Sequence, residues 1–123
     1  MTIRTYHAGD EVAHATIFNS VAGELPGCKP AAVEDLRRRL LAPSFDPGLW
    51  FYAEDGGEIV GYCTAQPNGR IGFPWCRSGA ERFAEPLFSA TLAGLQTRGI
   101  QLVYAAYAAS WTIQAATHFE FPP

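Results

Sequence analysis

The chain has 123 residues, a formal net charge of -3, and is 48% hydrophobic, 17% charged and 13% aromatic. At this length about two-thirds of the unfolded chain's surface is buried on folding, so neither a disulfide nor a metal is needed for a core, and disorder is excluded. No apolar run approaches the ~18 residues of a membrane span, and the mildly acidic balance argues against a nucleic-acid partner, since Arg37, Arg38 and Arg39 fan around a predicted helix.

The N-terminus lacks a basic segment followed by an apolar run, so the expectation is a cytoplasmic protein. Residues Thr2 to Tyr6 read as a strand, and Asp10 as the N-cap of a helix from Glu11 to Ala22 that buries Val12, Ala15, Ile17, Phe18 and Val21, with His14, Asn19 and Ser20 on other faces. After the loop around Pro26 and Gly27, Pro30 opens a second helix carrying Val33, Leu36, Leu40 and Leu41, which Pro43 ends. Leu49 to Glu54 and Glu58 to Ala65 read as strands, and Asp55-Gly56-Gly57 between them is a hairpin signal. Asn68-Gly69 repeats that signal before a third run, Arg70 to Trp75, where Pro74 implies a bulge or a strand end. Ala80 to Arg98 is the longest predicted helix, effectively beginning near Glu85 because of Pro86. Ile100 to Ala108 reads as a buried strand, and Ser110 as the cap of a short helix from Trp111 to about His118. The order β-α-α-β-β-β-α-β-α predicts one α/β (α+β) domain over residues 1–123, with a mixed central sheet between helices and a parallel crossover near its end.

The informative stretch is the strand end Phe73, Pro74, Trp75, the loop Cys76-Arg77-Ser78-Gly79 and the helix start that follows. Unpaired N–H groups at a helix N-terminus bind anions, and Arg77 and Arg82 add charge for a diphosphate, whereas Glu81 opposes one. The bland alternative is an ordinary helix cap. Three cysteines at wide spacings, Cys28, Cys63 and Cys76, read as buried thiols, with an activated Cys76 as the minor alternative. His7, His14 and His118 are too separated for a metal site. A general base would come from Glu54, Glu58, His118 or Glu120. Glu54 and Glu58 read as solvated residues beside a turn, and no catalytic residue is assigned. Trp50, Trp75 and Trp111 read as core or interface residues, as do Tyr104 and Tyr107.

The opening Ile3 to Asp10 and the run Leu49 to Tyr62, with its Ala53-Glu54-Asp55-Gly56-Gly57-Glu58-Ile59-Val60-Gly61, resemble the GNAT superfamily of acetyl-CoA-dependent N-acetyltransferases. The resemblance covers nearly the whole chain and implies transfer of an acetyl group from acetyl-CoA to a small-molecule or peptide amine. It implies a pyrophosphate loop of pattern Gln/Arg-x-x-Gly-x-Gly/Ala, of which only Gly79 matches here, Cys76 and Glu81 standing at the other two positions. Cofactor contacts are therefore expected at Phe73, Pro74, Trp75, Arg77, Ser78, Gly79, Ala80 and Arg82. The family's last motif corresponds to Thr112 to Glu120, with Phe119 in place of a tyrosine that donates a proton to the leaving thiolate. The family's final strands would lie beyond Pro123, which implies a sheet edge covered by a missing C-terminal segment or by a second copy in a homodimer. The alternative is a catalytically inactive GNAT-like module that binds acyl-CoA, regulates or dimerises.

Overall fold

The computed structural model describes residues 2–22, 33–43, 45–72, 74–103 and 111–112. The Asp-Gly-Gly signal forms the centre of the sheet. Strands β2 (Trp50–Asp55) and β3 (Glu58–Thr64) are joined by Gly56 and Gly57, whose φ angles of 61° and 84° are those of a two-residue turn twisted with its strands. Strand β1 (Thr2–Thr5) pairs antiparallel with β2, and β4 (Trp75–Cys76) with β3, giving the order β1-β2-β3-β4. Glu54 pairs with Ile59 while Ala53 pairs with Gly61, so Val60 is an extra residue, a bulge in β3.

The sheet divides two cores. Helix α3 (Ala84–Thr97) lays Leu87, Phe88, Leu92 and Leu95 on one face, with Ala53, Cys63 and Ala65 beneath them. It follows a 3-10 turn, Glu81–Phe83, so Pro86 falls in the first α-turn, where its missing N–H costs nothing. Helices α1 (Asp10–Ala22) and α2 (Val33–Leu40) cover the other face, packing Ala15, Ile17 and Leu36 against Trp50, Tyr52 and Tyr62.

Three expectations change. Helix α1 buries His14, Asp10 and Glu11 and leaves Val12 half-exposed, because its inward stripe is partly polar. The Asp10 carboxylate reaches back to the His7 N–H (2.7 Å) and takes the Arg4 guanidinium through two bonds of 2.7 and 3.0 Å. Trp111–Thr112, expected to begin a helix, form strand β6, antiparallel to β5 (Leu102–Val103); tryptophan and threonine are strand formers, and here they find a ladder to join. Each described strand pair is antiparallel, and the parallel neighbour expected across α3 is not among the described pairs. Among the described residues no helix is long and apolar enough to cross a membrane.

Candidate functional site

Two places on the sheet carry polar chemistry. The first is the loop between β4 and α3. The Arg77 N–H extends the ladder to the Val60 carbonyl (2.8 Å), and the Ala80 N–H closes a turn onto the Arg77 carbonyl (2.9 Å). The backbone N–H groups of Ser78 and Gly79 between them donate to no acceptor among the described residues. A Cβ built on Gly79 would meet nothing within 4 Å, so this side of the loop is open. No side chain caps the turn that follows.

The residues expected to contact a cofactor lie along β4 and in the loop that follows it, apart from Phe73. Trp75 lies in β4 with Pro74 just before it, and Phe73 lies outside the described residues. Arg77 and Arg82 are both paired with acids of the β2–β3 turn, Glu58 taking Arg77 at 3.4 Å and Asp55 taking Arg82 at 2.8 Å. Arg82 also donates to the Gly79 carbonyl at 3.0 Å and lies over the Phe83 ring. These pairs are exposed, so each is worth only a few tenths of a kcal/mol and exchanges readily for a stronger anion. Cys76 is no activated thiol; burial pushes it up to about 11, and the neighbouring Glu81 adds to the shift.

The second place is a cleft between α1, α2 and the sheet, with two adjoining cavities of about 380 and 150 Å3 that share Arg39, Thr64 and Gly72. The smaller is walled by His14, Tyr62 and Trp75, with Asp35 and Arg39 of α2 on its other side. His14 stacks on Tyr62, with ring centroids 3.7 Å apart, and its Nδ1 is 2.9 Å from the Tyr52 hydroxyl. Burial lowers His14 to about 3, with the Arg39 charge adding to the effect, so the ring is neutral at neutral pH. Burial likewise raises Tyr52 and Tyr62, which keep their protons. Between the start of α1 and α2, Tyr6 donates to Glu11 at 2.8 Å, and Arg37 reaches the same carboxylate at 3.3 Å. Periodicity did not point to His14, because it stands among acids on a helix whose apolar residues are spread around it.

Glu54 and Glu58 do not enter the cleft: Glu54 is paired with Arg4 at 2.6 Å, and Glu58 lies at the turn. Cys28, Tyr104, Tyr107, His118, Phe119 and Glu120 lie outside the described residues. No cluster of metal-binding side chains occurs among the described residues.

No family model matches the chain. A mycothiol acetyltransferase from Streptomyces bingchenggensis is 38% identical over 63 residues, which are 50% of this chain and 20% of that protein's length. Among solved structures, a GNAT family acetyltransferase from Brucella melitensis in complex with acetyl-CoA superposes with a TM-score of 0.72 at 15% identity, over 88% of this chain and 76% of its own. A GCN5-related N-acetyltransferase from Sphaerobacter thermophilus superposes with a TM-score of 0.70 at 25% identity, over 98% of this chain and 38% of its own.

Proposed function

We propose that this chain, which has the fold of the GNAT acetyltransferases, binds acetyl-CoA and passes its acetyl group to an amine. The observation that carries the reading is the β4–α3 loop, where the N–H groups of Ser78 and Gly79 have no acceptor among the described residues, the space beside Gly79 is open and two arginines flank the loop. Those donors suit a diphosphate: they are fixed by the flanking turn, and an anion there needs no side chain to move first. Arg77 and Arg82 would exchange their turn carboxylates for it, against the opposing charge of Glu81. The other edge of β4 has no partner among the described residues, so Trp75 and Cys76 can pair with an extended amide arm.

Bound acetyl-CoA supplies a thioester carbonyl for direct attack by a neutral amine. The inner wall of the smaller cavity suits the neutral form, since His14 and Tyr62 are uncharged there and the Arg39 guanidinium beside them repels an ammonium. The same groups favour a second reading, an acyl-CoA-binding module without turnover. His14, Tyr52 and Tyr62 offer no general base at neutral pH, so among the described residues of the cleft the amine proton would fall to the carboxylate of Asp35, which lines the smaller cavity, or to water.

Thermal unfolding with acetyl-CoA and with free coenzyme A tests the reading, followed by thiol release against mixed amines. Ligand at about 100 times its Kd adds ~2.7 kcal/mol, a rise of a few degrees in Tm. A shift with thiol release supports the transferase, a shift alone the binding module, and no shift up to millimolar ligand overturns both.

A further inference from the structure

Arg4, Arg37, Arg38, Arg77, Arg82 and Arg98 each hold a carboxylate of Asp or Glu. Arg39 and Arg70 hold none among the described residues, and both line the larger cavity. Among the described residues no acid lines that cavity, the nearest being Asp35 in the wall of the smaller one; its other polar groups include Thr64 and Gln66, and Phe45 and Trp50 form an aromatic wall. Cations left unpaired around a concave surface without acids are complementary to an anion, and two guanidinium groups present the forked donors that a carboxylate or phosphate accepts.

We infer that this cavity is an anion-binding subsite and, resting on the transferase reading, that it holds the acidic group of a small acceptor amine bearing a carboxylate or phosphate. The volume of about 380 Å3 is that of a metabolite-sized pocket. The anion is not the cofactor's diphosphate. The cofactor loop meets β3 at Val60 and the cavity meets it at Thr64, four residues or about 13 Å along the strand. The smaller cavity continues from Arg39 towards Tyr62 and Trp75, beside the strand proposed for the amide arm. An acceptor anchored by its anion at Arg39 and Arg70 thereby directs its other end, the amine, to where the thioester would lie.

The test measures binding of 3-phenylpropionate, phenyl phosphate and the neutral 3-phenylpropionamide by ligand-detected NMR, to the whole chain and to its Arg39→Gln and Arg70→Gln variants. Both arginines are exposed, so these variants are expected to fold, and the acetyl-CoA-induced rise in Tm is recorded for each. The expected result is that one or both anions bind while the amide does not, that each variant weakens anion binding by about tenfold or more, and that the acetyl-CoA rise is unchanged. Which anion binds more tightly names the acidic group. Anions that bind no better than the amide, or as well to both variants, overturn the subsite. Arginine-dependent anion binding without any acetyl-CoA rise upholds the subsite and overturns the transferase reading, so the two fail separately.

Discussion

His14 is a buried imidazole that the fold keeps neutral, and that has a thermodynamic consequence. In the unfolded chain it takes a proton near its ordinary 6.5, whereas in the folded chain burial delays this to about 3. Below the unfolded value the unfolded state binds the extra proton, so stability falls as pH drops through that window, by up to about 1.4 kcal/mol per pH unit. Denaturant titrations between about pH 6 and pH 4.5 should show this slope, and His14→Asn should flatten it while lowering stability at neutral pH, the cost shrinking as pH falls; an unchanged slope would place the ring in water. Asp10, Glu11 and Asp46 act lower down. Burial raises Asp10, but its Arg4 and His7 bonds outweigh this and hold it below the usual carboxylate range; Glu11 is lowered first by its own backbone N–H, and Asp46 first by Arg98. Carboxylates of lowered pKa contribute stability above their unfolded values and lose it as pH falls through the folded ones, so their share disappears below about pH 4. None of this was legible in the sequence, because a histidine flanked by Ala13 and Ala15 reads the same whether it faces the sheet or water.

At the scale of elements, the β2–β3 hairpin and the β4–α3 loop are electrostatically joined, since Asp55 and Glu58 hold the arginines proposed for the diphosphate. Removing those carboxylates should free the arginines: Asp55→Asn with Glu58→Gln is expected to tighten coenzyme A binding by about two- to fivefold, more at low salt than at high. Calorimetric titration reads this directly, and an unchanged or weaker affinity would mean that the arginines stay off the ligand. The hairpin was legible because a two-residue glycine turn between β-branched and aromatic runs has few other conformations open to it. Helix α3 was legible down to its delayed start, since Pro86 permits only a first-turn position. The bulge at Val60 was not, for an extra residue leaves no mark in composition. Nor was strand β6, because Trp111 and Thr112 depend on Leu102 and Val103 for a partner. The cleft arginines were equally hidden: which cations remain unpaired depends on contacts such as Arg98 to Asp46, 52 residues apart.

At the scale of the whole molecule, the four-stranded sheet and the β5–β6 pair meet where the turn at Gly69 approaches the Leu102 carbonyl. A Cβ on Gly69, whose φ is 96°, would lie 2.5 Å from that oxygen, with Ile100 next to it. Gly69→Ala is therefore expected to cost about 1–3 kcal/mol, seen as a lower denaturation midpoint, by strain in the turn and by forcing the two sheets apart. A midpoint that does not move would mean that the contact is slack. The division of the sheet into two faces has a consequence for the length of the chain. Along β3, Ile59 and Tyr62 share the face towards α1 and α2 although they are three residues apart, since Val60 is the supernumerary residue between them. Losing one residue elsewhere in a two-faced strand exchanges its inside for its outside, but losing Val60 would leave Ile59, Tyr62 and Cys63 on the faces they already occupy. The bulge is thus the position in β3 where a codon could be deleted without turning the strand over.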